Sequence, residues 1–476
     1  MKKTLSTVYN RINKEFLIKI APYIFISYFL LLLLPYIFAP VSSLYSFFLK
    51  TPVNLSIRTL AMLIISCYSV LVFLKFKPTI KFEYLLFCAG LITILIVSLI
   101  VSPKSYSSIL THNPYMYETL VFYEIGAIDL LSGFASCIVD MLFGFLFIFI
   151  LPCVCNKNNL KIFLLFVFTF VILECFYSII FEFKKYVITI VGDSAYGGYE
   201  IDISASFITK NQFGPFLVIG FIAGFFSVRW YYSSHRVLKP LFYSFLSLIG
   251  VVVLFSLCKT AIVSLILFLA PFVVNWFIKN TKDKNFKPII VVASTFTVFV
   301  LFIIVVMFSP LGQVVFFSNI KKVIKSLFVD SFKVAKESRY ITWYLSMSAL
   351  FNYHILIGYP KGSLQYVLRI QTNGYAIYPH NGFIQQTLCY GLFGLFVLFY
   401  LYYFLLKRLS RVEDKSNRRL WIALLLSSLV FMTTETEVII MSSSLLTFGY
   451  NILLCSIPLL KKPIINKKEA YYEINI

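Results

Sequence analysis

Charged residues are scarce in this sequence, and acidic residues are the scarcest of them. They make up 13% of the 476 residues, with 20 Asp and Glu against 42 Lys and Arg. Hydrophobic residues make up 60%, and the mean hydropathy is +0.87. This composition excludes an ordinary water-soluble globular protein. The sequence therefore predicts a single integral membrane domain over residues 1–476.

Motifs typical of several other classes of protein are also missing. No Asp-x-Asp occurs in a loop, and no nucleotide-sugar or metal-binding motif is present. The net charge of +22 comes without a nucleic-acid-reading motif. None of the nine cysteines falls in a predicted outer loop, so we expect packing residues rather than disulfides. We therefore expect no metal, no cofactor and no nucleic-acid partner.

Long apolar segments recur along nearly the whole chain. Each is long enough to cross a bilayer as a helix. They are 16–39, 56–74, 82–101, 129–151, 161–182, 213–229, 240–257, 260–278, 288–308, 383–406, 420–437 and 441–460. The first lacks a small-residue cleavage site, so we expect it to stay in the protein rather than act as a signal peptide. The prediction is an all-α polytopic membrane protein with about twelve transmembrane helices.

Lysine and arginine concentrate in alternate loops, and this alternation predicts the orientation. Cytoplasmic loops are enriched in these residues. With the N-terminus inside, the inside segments include Lys2, Lys3, Arg11, Lys14, Lys75, Lys77, Lys81, Lys157, Lys161, Arg229, Arg236, Lys239, Lys279, Lys282, Lys284, Lys287 and the basic stretches 407–419 and 461–468. An even number of spans returns the C-terminus to the cytoplasm. The positive charge then reflects topology and attraction to anionic lipids.

The longest polar segment, residues 309–380, lies between the ninth and tenth spans and is predicted to be outside. Its first part, 319–337, has the pattern of an amphipathic helix lying on a membrane surface. A second helix begins at Ser338 and carries Arg339 and Trp343, four residues apart on one face. We therefore expect a large outer loop containing short helices.

A histidine and an asparagine stand where this outer segment meets the tenth span. His380 could act as a base, and Asn381 could orient its ring or cap the helix. Gly391 and Gly394 follow, three residues apart, which allows close helix packing or backbone approach. A capped helix entering a membrane, with glycines for packing, would explain these residues as well.

The complete spacing is more specific than its parts. His380-Asn381, nine residues, Gly391, two residues and Gly394 resembles the motif of the bacterial O-antigen ligase family, which overlaps in sequence with O-antigen and capsule polymerases. The resemblance covers 379–406 well and about 200–380 loosely. It implies a helical membrane fold of the kind used by lipid-dependent glycosyltransferases. It also implies a bacterial inner membrane location, with the active site on the outer (periplasmic) face.

The resemblance extends to two other helix ends. The family has an asparagine at a place similar to Asn211, which with Gln212 begins the sixth span and could bind a phosphate or a sugar hydroxyl. Capping alone would explain both amides. The family usually has Ser-Arg in the hairpin between the seventh and eighth spans, where this chain has Lys259. Lysine keeps the charge but loses the bidentate fork of arginine, and snorkelling from a helix end is the alternative explanation.

The reaction implied by the resemblance is transfer of a glycan from undecaprenyl diphosphate to an acceptor hydroxyl. Arg339 and Lys259 would stabilise the departing diphosphate, and His380 would deprotonate the hydroxyl. Asn381 would orient His380 or the acceptor. The remaining candidate substrate-binding residues are Asn211, Gln212, Trp343, Gly391 and Gly394. A lipid-activated donor needs no metal.

Three functions stay open at this stage. The first is an O-antigen ligase, which would use the lipid A core as acceptor, and the motif spacing favours it. The second is a polymerase that joins lipid-linked repeat units, which Lys259 favours. A glycan flippase would share the size, charge and topology, but it should show pseudo-repeated halves and no long outer loop ending in His-Asn.

Four acidic residues have no assigned role. Asp140 and Glu174 fall inside the fourth and fifth spans at similar depth and could face one another. Acids inside a membrane are costly, so they are functional candidates or a hydrogen-bonded packing pair. Glu435 and Glu437 lie at the outer turn of the last hairpin, as alternative bases or partners for the cations.

Overall fold

The structure is a computed structural model that describes most residues of the chain. The described residues are 13–37, 51–101, 105–110, 120–124, 127–183, 185, 203–207, 210–256, 258–282, 338–353, 355–359, 364–371, 378–410, 412, 414–435 and 444–456. The predicted ninth span, the amphipathic segment 319–337 and Glu437 lie outside these residues.

The described part is α-helical apart from one small hairpin. Its helices are α1 Lys14–Ile37, α2 Thr51–Phe76, α3 Phe82–Val101, α4 Ala127–Phe145, α5 Leu151–Val154, α6 Lys157–Phe181, α7 Lys210–Ser227, α8 Leu238–Phe255, α9 Lys259–Lys282, α10 Ser338–Tyr353, α11 Leu364–Gln371, α12 Gly382–Ser410, α13 Lys415–Thr434 and α14 Leu445–Ser456. Two π-helical turns, Leu146–Ile150 and Val228–Tyr232, join α4 to α5 and extend α7.

The predicted all-helical fold is confirmed, and one short hairpin accompanies the helices of the described part. Strands β1 Ser105–Leu110 and β2 Leu120–Glu124 pair antiparallel, with Leu110 opposite Leu120. The hairpin lies between the predicted third and fourth spans, 82–101 and 129–151. Both strands are short and contain β-branched and aromatic residues such as Ile109, Val121 and Tyr123, which favour extended backbone.

Among the described residues, eight segments are long and apolar enough to cross a bilayer, which confirms a polytopic membrane protein. They are Lys14–Tyr36, Ser56–Phe76, Gly133–Val154, Lys157–Phe181, Lys210–Tyr232, Leu238–Phe255, Lys259–Lys282 and Gly382–Lys407. Phe82–Ser98 and Leu445–Ser456 are shorter apolar helices, and α13 begins with the polar sequence KSNRR. The total of twelve spans stays a prediction.

Helix α7 forms the centre of the bundle. It is apolar around its circumference, as expected for a helix surrounded by others, and it packs on α6, α8, α9 and α14. Phe216, Ile219 and Phe226 are buried along it. The outer helices instead expose apolar side chains, such as Leu63 on α2 and Val273 on α9. Exposed apolar residues of this kind suit contact with lipid tails.

Basic helix ends meet at one end of the bundle. The Lys14 ammonium lies 5.3 Å from the ring centroid of Phe76, and Lys81 lies 4.9 Å from that of Phe404. The start of α6 connects this end to the turn that extends α7, because Asn159 Nδ2 donates to the Ile18 carbonyl at 2.6 Å and Lys161 lies 5.3 Å from the ring centroid of Tyr231. In that turn, Arg229 donates to the Ser416 hydroxyl at the start of α13. The opposite ends of α7, α12 and α13 therefore lie together at the other end of the bundle.

Candidate functional site

The other end of the bundle gathers polar residues from α7, α9, α10, α12 and α13. Arg339 lies in the first turn of α10 and binds the end of α13. Its Nη1 donates to the carbonyl oxygen of Thr434 at 2.9 Å, and its Nη2 lies 3.5 Å from Oε1 of Glu435. The guanidinium is thus held by a neutral acceptor and by a carboxylate.

Asn381 ties the start of α12 to the same end of α13. Its Oδ1 accepts hydrogen bonds from the backbone N–H groups of Phe383 at 3.0 Å and Ile384 at 3.1 Å, so it caps α12. Its Nδ2 donates to the carbonyl oxygen of Thr433 at 3.2 Å. The capping interpretation is therefore confirmed for Asn381, and a role in orienting His380 stays a prediction.

His380 stands next to this cap with a backbone φ of +45°, which is uncommon for a residue other than glycine. It is half-buried. Burial, and then the positive charge of Arg339, lowers the pKa of His380 from 6.5. The two residues predicted to act together therefore lie within electrostatic range. The lowered pKa favours the neutral imidazole, which is the form that can accept a proton.

The starts of α7 and α9 meet beside these residues. The Cys258 Sγ lies 3.9 Å from Oδ1 of Asn211. Helix α7 approaches closely here, because a Cβ on Gly214 would lie 2.7 Å from that of Cys258. Lys259 follows Cys258 directly and begins α9. Asn211 and Lys259 therefore belong to the same end of the bundle as Arg339 and His380.

Three of the surrounding charges affect the pKa of the Cys258 thiol. Burial raises its pKa to about 11, and Glu435 raises it as well, whereas Arg339 and Lys210 oppose the rise. The thiol is thus protonated at neutral pH and acts as a packing group. We call Lys210, Asn211, Cys258, Lys259, Arg339, His380, Asn381 and Glu435 the polar cluster.

The glycines of the motif have a structural explanation in the break of α12. Gly391 has φ 59° and ψ −158°, outside the helical region. A Cβ there would lie 2.0 Å from the carbonyl oxygen of Leu356 in the turn that follows α10. Leu392 N–H donates to the Ile355 carbonyl at 3.0 Å across the same contact. Gly394 packs within the kinked helix, where a Cβ would lie 2.6 Å from that of Tyr390. Substrate contact by either glycine stays a prediction.

Two predicted binding residues lie beside the polar cluster rather than in it. Trp343 is four residues along α10 from Arg339, and its Nε1 is buried without a hydrogen-bond partner among the described residues. Gln212 lines a separate cavity between α1, α2, α7 and α14, and its Oε1 likewise has no partner in the part of the chain that the structure describes. The side chain of Asn211 therefore lies in the polar cluster, whereas that of Gln212 lies in the cavity.

The two acids inside predicted spans bind different segments. The Tyr390 hydroxyl donates to Oδ2 of Asp140 at 3.4 Å, next to the break in α12. Glu174 accepts from the Ser206 hydroxyl at 2.7 Å, in the segment 203–207 that precedes α7. Nearby Glu182, which no sequence pattern indicated, accepts from the backbone N–H of Ala205 at 2.8 Å. Glu174 and Glu182 thus anchor the approach to α7.

Glu435, offered from the sequence as a partner for the cations, does pair with Arg339, whereas Lys210 was missed. A signal for Lys210 was present, because it is a lysine at the predicted outer end of a span, where the positive-inside pattern does not expect one.

The described residues contain no group of three or more His, Cys, Asp and Glu placed to hold a metal ion. The expectation of a metal-independent reaction stays a prediction. A scan against protein-family models finds no family that matches the chain, and a search of curated proteins finds no match.

Proposed function

We propose that this protein is a membrane glycosyltransferase of the O-antigen ligase or polymerase type. It would transfer a glycan from undecaprenyl diphosphate to an acceptor hydroxyl. The observation that supports this most is the meeting of Arg339 and His380 within electrostatic range, although 41 positions separate them in the sequence (380 − 339). The same cluster contains Lys210, whose charge acts on Cys258 together with that of Arg339.

The cations suit the leaving group of this reaction. A departing diphosphate gains negative charge in the transition state, and donors fixed before the reaction stabilise that charge most. Arg339 is fixed by the Thr434 carbonyl and Glu435, and Lys259 is placed by the first turn of α9. Removing one such donor from an enzyme typically costs about 2.7–4 kcal/mol of transition-state stabilisation.

His380 suits the role of base, and Glu435 suits another role. The pKa of His380 is lowered, so its imidazole is neutral at pH 7 and can take a proton from an acceptor hydroxyl. Glu435 already pairs with Arg339 at 3.5 Å, so its carboxylate suits the positioning of a cation. We therefore assign the base to His380 and the support of Arg339 to Glu435.

The proposal includes an orientation and a location. The polar cluster lies at the bundle end opposite the basic helix ends, for which Arg229 and Ser416 at the far ends of α7 and α13 are markers. In the inner membrane of a bacterium, the positive-inside rule would place the basic end and both termini in the cytoplasm and the cluster on the outer face.

Lipopolysaccharide gels of a strain that lacks the protein test the proposal and identify the acceptor. Bare core indicates loss of a ligase that uses lipid A core, and core with one repeat indicates loss of a polymerase. Complementation with His380→Gln should fail, because glutamine cannot take up the proton. His235→Gln is the matched control, because His235 is exposed at the basic end and should complement fully. An unchanged ladder in the deletion strain would contradict the proposal.

A further inference from the structure

A cavity of about 300 Å³ lies between α1, α2, α7 and α14. Its volume is at the lower limit of pockets that bind small ligands, roughly 300–1,000 Å³. Apolar side chains such as Leu31, Met62 and Leu445 form much of its wall. The polar side chains of Arg58, Gln212 and Ser444 also line it. The cavity is therefore amphipathic rather than uniformly apolar.

Arg58 lies at the depth of a lipid head group. It is on α2, and the eighteen positions from Arg58 to Phe76 (76 − 58) rise roughly 27 Å along the helix axis. Phe76 marks the basic end, since Lys14 lies 5.3 Å from its ring centroid. The hydrocarbon core of a bilayer is about 30 Å thick. Arg58 therefore reaches the boundary on the side of the polar cluster, with the apolar wall beside it.

Arg58 and Gln212 match the parts of a phospholipid head group. A guanidinium binds phosphate through parallel, charge-assisted hydrogen bonds. The Gln212 Oε1 is buried, without a hydrogen-bond partner among the described residues, and is an acceptor for a head-group hydroxyl. The lining aromatic rings are held firmly, as in the stack of Tyr36 on Phe207 with centroids 4.6 Å apart.

We propose that this cavity binds a lipid with a phosphate head group, with the phosphate at Arg58 and one chain against the apolar wall. The proposal goes beyond glycosyl transfer and does not depend on it. It does place the lipid next to the polar cluster, because Asn211 and Gln212 are neighbours in the first turn of α7. Asn211 contacts Cys258, whereas Gln212 lines the cavity.

Native mass spectrometry of the purified full-length protein tests this inference. The probes are phosphatidylglycerol, diacylglycerol without phosphate, and inorganic phosphate. Phosphatidylglycerol should stay bound to the protein at low detergent concentration, and diacylglycerol should not. Arg58→Gln should weaken retention about fivefold, the value of one cation near an anionic surface, and Arg58→Lys should restore most of it.

A matched pair of variants separates the cavity from the general lipid surface. Met62→Trp should abolish retention, because Met62 lines the cavity and the indole would fill it. Leu63→Trp should retain the lipid, because Leu63 is 60% exposed on the same helix. Normal retention in His380→Gln would keep this site distinct from the proposed active site.

Several results would overturn the inference. Equal retention of diacylglycerol and phosphatidylglycerol would show that the phosphate is not recognised, as would normal retention in Arg58→Gln. Equal loss in Met62→Trp and Leu63→Trp would place the lipid outside the cavity. Displacement of the lipid by inorganic phosphate at equal concentration would indicate a free-anion site.

Discussion

The break in α12 gives the sharpest test of the geometry, through the substitution Gly391→Ala. The backbone of Gly391 has φ 59° and ψ −158°, a conformation that is essentially restricted to glycine and costs other residues about 1–3 kcal/mol. The added Cβ would also lie 2.0 Å from the Leu356 carbonyl oxygen and 2.6 Å from the Ile357 nitrogen. Overpacking of a tight contact typically costs about 1–3 kcal/mol more.

The total, roughly 2–6 kcal/mol, is a large part of the stability of a typical domain. The expected damage is local at first, because the clash is with the turn that follows α10. Two hydrogen bonds hold that turn on α12, Leu392 N–H to the Ile355 carbonyl at 3.0 Å and Tyr359 N–H to the Leu388 carbonyl at 2.6 Å. Losing them would release the C-terminal end of α10, the helix whose first turn carries Arg339.

Thermal unfolding of the detergent-purified protein, together with a transfer assay, measures both effects. Gly391→Ala should unfold at a clearly lower temperature and lose transfer activity at temperatures where it remains folded. Gly250→Ala on α8 is the control, because a Cβ there meets nothing within 4 Å. That variant should be neutral or more stable by up to about 1 kcal/mol. A Gly391→Ala protein as stable as Gly250→Ala would refute the docked turn.

Three further predictions concern the polar cluster. Asn381→Ala should lower stability by about 1 kcal/mol, and Asn381→Ser should recover most of it by keeping the cap, as measured by thermal unfolding. Transfer should fall only below pH 6.5, because burial and Arg339 lower the pKa of His380 and so keep the imidazole neutral above that pH. The rate of carbethoxylation of His380 should fall over the same pH range as transfer. The fall should occur at higher pH in Arg339→Gln and at unchanged pH in Arg339→Lys. Lys259→Ala should slow transfer about 10²–10³-fold, and Lys259→Arg should be tolerated.

Each of these has an outcome that contradicts it. Equal stability of the two Asn381 variants would show that the cap contributes nothing. An unchanged pH dependence of carbethoxylation in Arg339→Gln would show that the guanidinium does not affect the pKa of the imidazole. Normal transfer by Lys259→Ala would leave Lys259 as a snorkelling side chain at a helix end.

The sequence was informative where structure follows from local pattern. Apolar length predicted α1, α2 and α6 to α9 to within a few residues, since crossing a bilayer requires a fixed length of helix. The predicted bounds of the last helical hairpin were less accurate. Helix α13 ends at Thr434, and Glu435 adopts an extended backbone with φ −129°, so the predicted end at 437 was too late.

Long-range contacts could not be predicted in the same way. Hydropathy places Arg339 and Glu435 at the outer ends of different segments, but their 3.5 Å contact depends on how α10 docks on α13. Likewise, the glycine spacing allowed either helix packing or backbone approach at position 391. Only the position of the turn at 355–359 shows that a backbone carbonyl fills the space beside Gly391.

The two acceptors of Arg339 explain why arginine and lysine would not be equivalent in this cluster. In the proposed reaction, a diphosphate must compete with Glu435 for the guanidinium, because two anions repel each other. Nη2 faces Glu435 at 3.5 Å, whereas Nη1 is held at 2.9 Å by the uncharged Thr434 carbonyl. The planar fork can therefore exchange its charged partner while the neutral one keeps it in position. A lysine at 339 has a single nitrogen to bind both the Thr434 carbonyl and the diphosphate. Arg339→Lys should therefore keep the pH dependence of His380 while the rate of transfer falls.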